Sequence, residues 1–229
     1  KVLGEEGNIA GDFLIRLRFD EAREDYMDLR VGLVDGDGRY TAKYLPQVLS
    51  PALDHWLRTA ILKGAVDEGY FQYQGSLQHG ASPESRSISL FFKVHDAELD
   101  FQPGWPHVRK VDGDVFIEDT GVRVKARSGQ LLDTQVRDVL VDIPHVNEGE
   151  HSHLYLQGEF DGRLADGVKI LQEAPIGTGP TFAGWEGEGP LRGKLKLEAR
   201  IDLHGMIQSE AHGMLLDSDT QLNQNSDYE

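Results

Sequence analysis

Apolar and polar residues alternate one for one in stretch after stretch of this chain, and each apolar series has a polar one behind it. Phe13, Ile15, Leu17 and Phe19 alternate with Arg16 and Arg18; Ile88, Leu90, Phe92 and Val94 form a second stripe, and Val115 and Ile117 a third. Val122, Val124 and Ala126 face away from Arg123, Lys125 and Arg127. Val139, Val141 and Ile143 follow, then Leu154, Leu156 and Phe160. Leu195, Leu197, Ala199, Ile201 and Leu203 close the series against Lys194, Lys196, Glu198, Arg200 and Asp202. A period of two sends successive side chains to opposite faces of a strand, so these segments predict half-buried strands with one apolar face. Strands of a doubly wound parallel sheet are buried on both faces and read as continuous apolar runs. The stripes here do not.

Asp35-Gly36-Asp37-Gly38, Asp112-Gly113-Asp114, Asp119-Thr120-Gly121 and Ser128-Gly129 lie between or beside the stripes. They supply residues that tolerate positive φ and so predict hairpin turns and antiparallel neighbours. One helix is expected over 50–64: Ser50 can cap it, Pro51 suits its first turn, and Leu53, Trp56, Leu57, Ala60 and Ile61 recur at helical spacing before Gly64. A weaker one is expected over 163–172, with Leu164, Val168 and Leu171 on one side and Gly167 inside it. Residues 174–190, rich in Pro and Gly, read as a loop. The organisation expected is leading strands and a hairpin in 1–49, the helix in 50–64, antiparallel strands over 65–203, and a polar tail over 204–229 that reads as a cut point. The chain opens on Lys1-Val2-Leu3-Gly4, without an initiator Met or a signal peptide, and reads as a piece of something longer. No stretch approaches the ~18 consecutive apolar residues of a membrane span.

Two short helices cannot cover the apolar face of some ten strands. Either the sheet folds over onto itself as a sandwich or barrel, or it curls into a trough whose floor is filled by something else. Periodicity leaves both open.

Composition narrows the chemistry. Thirty-nine acidic against 23 basic residues give a formal charge of -16, which repels a nucleic-acid backbone, so no nucleic-acid partner is expected. The absence of cysteine removes disulfides, thiolate metal sites and cysteine nucleophiles together. A nucleophile elbow, a phosphate-binding glycine loop, a dinucleotide fingerprint and a HExxH helix are all missing. Among 39 acids coincidental carboxylate pairs are certain, so a glycosidase reading has nothing to single out. His145, His151 and His153 with Glu148 and Glu150 form the best metal candidate; the stronger reading is a solvated hairpin loop, and no metal is expected there. Asp35-x-Asp37-Gly38 starts like a calcium loop but lacks the later oxygen ligands and the closing Glu. Trp105, in Gly104-Trp105-Pro106, invites ligand stacking, but it reads better, like Trp56 and Pro106, as a structural residue. No catalytic residue and no cofactor is expected.

Several blocks resemble a known family. Tyr44-Leu45-Pro46, Trp56-Leu57, Gly64 and Gly69-x-Phe71-x-Tyr73-x-Gly75 are similar to a recurrent block in the YhdP branch of the AsmA-like proteins of Gram-negative bacteria. Val94-x-Asp96-Ala97-x-Leu99-x-Phe101-x-Pro103-Gly104-Trp105-Pro106 resembles that family's strand ending in a Gly-Trp-Pro turn, the most specific of the matches. Leu154-x-Leu156-x-Gly158-x-Phe160-x-Gly162, Ala174-Pro175 and Gly187-x-Gly189-x-Leu191 resemble its sequel. The resemblance runs from Tyr44 to Leu203. It implies one segment of a long periplasmic protein, anchored in the inner membrane, whose curled antiparallel sheet carries phospholipid to the outer membrane in an apolar groove. The partners it implies are phospholipid acyl chains and, through the full-length protein, the two membranes. Phe13, Ile15, Leu17, Phe19, Ile88, Leu90, Phe92, Val94, Val115, Ile117, Val122, Val124, Val139, Val141, Leu154, Leu156, Leu195 and Leu197 would line the groove. A closed β-sandwich serving binding or envelope assembly, without lipid cargo, is the alternative.

Overall fold

The computed structural model describes residues 2–4, 7–17, 25–40, 43, 51–78, 82–119, 121–146 and 152–201. Ten strands follow one another in a single sheet: β1 (Val2–Gly4), β2 (Gly7–Arg16), β3 (Tyr26–Asp37), β4 (Ile61–Ser76), β5 (Arg86–Leu99), β6 (Val108–Glu118), β7 (Gly121–Leu131), β8 (Thr134–Ile143), β9 (Ser152–Arg163) and β10 (Pro190–Ile201). Each pairs antiparallel with the next, and spatial order equals chain order. β1 and β10 do not pair, so the sheet is open, neither a barrel nor a closed sandwich. At ~4.8 Å per strand it extends about 45 Å across its strands. Among the described residues, three helices with full bounds accompany it: α1 (Pro51–Ala60), α2 (Leu164–Glu173) and α3 (Gly179–Phe182). The mainly β, antiparallel class expected from the alternation is the one observed. Phe19, Leu203, Tyr44-Leu45-Pro46 and the tail 204–229 lie outside the described residues.

The register joins the separate stripes into one surface, because Cα partners across antiparallel strands send their side chains to the same face. Ile9, Leu33, Gly69, Phe92, Val115, Val124, Val141, Leu156 and Leu197 are successive partners from β2 to β10, an apolar row crossing nine strands. A parallel row runs Val31, Phe71, Leu90, Ile117, Val122 and Ile143.

Beside these rows lies a line of strand irregularities. Asp35, Asp96, Lys110 and Asp138 adopt φ of 54°, 46°, 52° and 49° within β3, β5, β6 and β8. The pairing shifts at Val66/Glu68, Val94/Ala97, Arg109/Asp112 and Arg137/Leu140. A bulge adds one unpaired residue, reverses which parity faces inward, and sharpens bend and twist. Ala97 and Leu99, Val108, and Val136 therefore share the apolar face with Val94, Val111 and Val139 despite their opposite parity. Shifts aligned across β4 to β8 crease these strands along one line, which curls the sheet about an axis perpendicular to its strands. Three expected turns are corrected here. Asp35 to Gly38 runs from the end of β3 into a single 3-10 turn (Gly38–Tyr40), and Asp112-Gly113-Asp114 and Ser128-Gly129 lie inside β6 and β7. Glycine serves close packing there, since a Cβ on Gly113 would fall 2.7 Å from the Lys125 carbonyl.

The chain does turn tightly between Glu118 and Gly121, which pair, with Asp119 at φ 53°; Thr120 lies outside the described residues. The Asp119 carboxylate accepts from the Ile88 N–H at 2.9 Å, and the Asp119 N–H donates to the Ile88 carbonyl at 2.8 Å, which ties the turn to β5. The equally tight β7–β8 turn places Leu132 at φ 55°, a conformation leucine rarely takes, so composition did not announce it. It is held from α2: buried Asp166 accepts from the Asp133 N–H at 3.1 Å and the Thr134 hydroxyl at 2.7 Å. A Cβ on Gly162 would overlap Thr134 in that clasp. Gly162→Ala is expected to lower stability by about 1–3 kcal/mol through overpacking, read as a shift in urea midpoint.

Helix α1 stops at Ala60, short of the expected Gly64. Ile61 leaves the helical stripe to pair with Leu99 in β4, and Gly64 takes φ 146° against Ala97. A Cβ there would meet the Ala97 Cα at 2.8 Å, so Gly64 permits strand contact and does not cap the helix. The weaker helix appears as α2.

Candidate functional site

The apolar face is a continuous surface, and α1 sits on its centre. Leu57 of α1 packs into a buried cluster with Tyr73, Ile88, Leu90 and Ile117, flanked by Met27, Leu29, Phe71, Phe92, Val115 and Val122. All of these sheet residues belong to the apolar face by register. Leu90 retains 3% of its surface and Ile117 none. The buried Tyr73 hydroxyl is satisfied by the Ser76 carbonyl at 2.5 Å. Away from α1 the face is open. Phe13, Ile15 and Leu17 on or just beyond β2 are exposed, Phe13 to 71%. Val122, Val124, Val139, Val141, Leu154, Leu156, Leu195 and Leu197 are half-buried, as are Phe92, Val94 and Val115. The lining expected from the sequence therefore falls on one face wherever it is described. It divides into a covered centre at Ile88, Leu90 and Ile117 and two uncovered flanks. Val31, Leu33, Phe71, Ala97, Val108 and Val136 belong to the same surface and were not in that list. Met27, Leu29, Val31 and Leu33 alternate plainly enough to have signalled β3.

The opposite face is ionic. Arg123 pairs with Asp142 at 3.0 Å, Arg127 with Asp114 at 3.2 Å, Arg192 with Asp161 at 2.9 Å and Lys194 with Glu159 at 2.8 Å, each between adjacent strands. The hydrogen bond from Lys194 holds the Glu159 carboxyl below its ordinary value. Such exposed pairs add little stability each, but they keep that face in water and fix which side of the sheet is left for apolar contact.

One end of the apolar face is finished by aromatic residues. The Trp56 indole N–H donates to the Phe101 carbonyl at 3.0 Å, and the Phe101 and Trp105 rings lie 5.7 Å apart. Gly104, at φ 84°, brings the Gly-Trp-Pro turn against Pro175 after α2. Trp56, Trp105 and Pro106 thus join α1, the β5–β6 connection and the segment after α2. A cavity of about 490 Å³ opens beside Trp105 and Pro106, bordered by Arg109, Lys169, Glu98 and Glu173. Desolvation raises the Glu98 carboxyl, and hydrogen bonds from Lys63 and His107 outweigh it, leaving the group below its ordinary value.

Of the histidine candidates, His153 is exposed on the ionic face, its ring edge-on to Tyr155 at 6.3 Å. His151, Glu148 and Glu150 lie outside the described residues. Dialysis against a strong chelator is expected to leave the melting temperature unchanged; a large fall restored by zinc would establish a metal site there.

These features define a class: an open antiparallel β-groove with one continuous apolar face and an ionic back. The family whose description is YhdP protein matches residues 2–228, nearly the whole chain, and the chain belongs to that family. No curated protein and no solved structure gives a significant match. Among the described residues, no helix is long and apolar enough to cross a membrane.

Proposed function

We propose that this chain is a non-catalytic segment of a bridge-like periplasmic protein, anchored in the inner membrane, that conducts phospholipid to the outer membrane along its apolar face. The observation that carries the reading is the row from Ile9 to Leu197: nine apolar or glycine partners, one per strand, on a sheet over whose flanks the described residues place no second sheet. Membership of the YhdP family supports it. Acyl chains lying along this row would bury area worth ~25 cal/mol per Å² at every strand alike. A tail then meets no deep trap as it moves from strand to strand, while its head group stays in water at the open seam. An acidic chain adds no general attraction for anionic head groups that would arrest them.

Native mass spectrometry of the purified chain, before and after organic extraction, tests this. Phospholipids of several head groups are expected to co-purify and to be removed by extraction. A strict preference for one head group would contradict contact through tails alone. A chain that carries no lipid and displaces no fluorescent fatty acid would favour the reading as an envelope-assembly module.

A further inference from the structure

The apolar face is unequally open, and the covered part lies in the middle of the second row, the one from Val31 to Ile143. Leu90 on β5 and Ile117 on β6 are sealed in the cluster with Leu57, whereas Phe13 on β2 is exposed and the floor residues of β7 to β10 are half-buried. The strands follow one another in chain order, so anything moving from β1 toward β10 must cross β4 to β6. We propose that α1 is a gate on this second row: cargo lying along Leu90 and Ile117 passes β4 to β6 only by lifting Leu57 off the floor. The inference rests on the conduit reading and adds to it a point of control.

Among the described residues, the hold on the helix is asymmetric. Its C-terminal end is fixed, since Ala60 is buried, the Ala60 carbonyl accepts from the Asp100 N–H at 2.8 Å, and Ile61 is already paired in β4. Toward the N-terminus, the described side chains that grip the sheet are Leu57 and half-buried Trp56 with its bond to Phe101. A helix of ten residues is marginal without tertiary packing. An arriving acyl chain offers Leu90 and Ile117 the same kind of contact that Leu57 gives them. The floor therefore loses little when one replaces the other, and the chief cost is the order of the helix. Cargo itself opens such a gate.

Hydrogen exchange on the unmodified chain, with and without oleate, reads the helix directly. Saturating oleate is expected to speed exchange of the 51–60 amides at least tenfold while β5 and β6 stay as protected as before. A second readout uses the absence of native thiols: in Leu57→Cys, oleate should raise the rate of maleimide labelling at least tenfold, with Ile117→Cys remaining slow. If oleate binds, by displacement of a fluorescent fatty acid, and both readouts stay unchanged, α1 is a fixed roof and the gate is wrong while the conduit stands. If oleate does not bind at all, conduit and gate fall together.

Discussion

Leu90→Asp is expected to unfold the chain, and Leu156→Asp to leave it folded. The two leucines share one face of one sheet, but Leu90 keeps only 3% of its surface beneath α1 whereas Leu156 is half-buried on the uncovered flank. An unpaired carboxylate in the cluster of Leu57, Tyr73, Ile88 and Ile117 has no donor to meet, and the loss should be about 4 kcal/mol or more. At Leu156 the carboxylate reaches water through the open side, so the cost should stay near or below about 1.5 kcal/mol, and lipid should be excluded from that strand. Urea denaturation by circular dichroism, with mass spectrometry for bound lipid, reads both quantities. A folded Leu156→Asp that still carries a full lipid load would mean the β9 flank is not part of the conduit floor.

The second large effect is expected at the helix. Leu57→Ala removes the side chain that closes the central cluster and should cost about 2–5 kcal/mol, because the floor beneath cannot collapse to fill the gap. Trp56→Ala removes more atoms, but from a half-buried site, and should cost about 3 kcal/mol, at the low end for a tryptophan. Trp56→Phe keeps most of the packing and loses only the bond to the Phe101 carbonyl, which should cost about 1 kcal/mol. Equilibrium unfolding of the three variants gives the order. Wild-type stability in Leu57→Ala would show that α1 does not rest on the sheet in solution.

Much of this architecture was legible before any coordinates. Alternation from Ile88 to Val94, from Val122 to Ala126 and from Leu195 onward marks strands with one wet face, and Asp119-Thr120-Gly121 marks a hairpin by composition. The helix beginning at Pro51 announces itself by its cap and stripe. Its end does not, since Ile61 fits the helical stripe as well as it fits the strand opposite Leu99. The β7–β8 turn was hidden because Leu132 takes a conformation its residue type does not advertise, held there by Asp166 from 33 residues away.

Period-two patterning by itself determined that this chain must build one apolar face with an ionic back, because the parity of side chains along a strand is local and needs no partner. Where that parity reverses is not local. Asp96, Lys110 and Asp138 sit in bulges because neighbouring strands differ by one residue at the same line, and only pairing puts those offsets side by side. The same holds for the cover over the floor: Leu57 has its stripe in the sequence, but its place above Leu90 and Ile117, and so the division of the groove into a sealed centre and open flanks, depends on contacts between segments 30 to 60 residues apart. Burial of apolar area decides those contacts, and it is a property of the surfaces that meet.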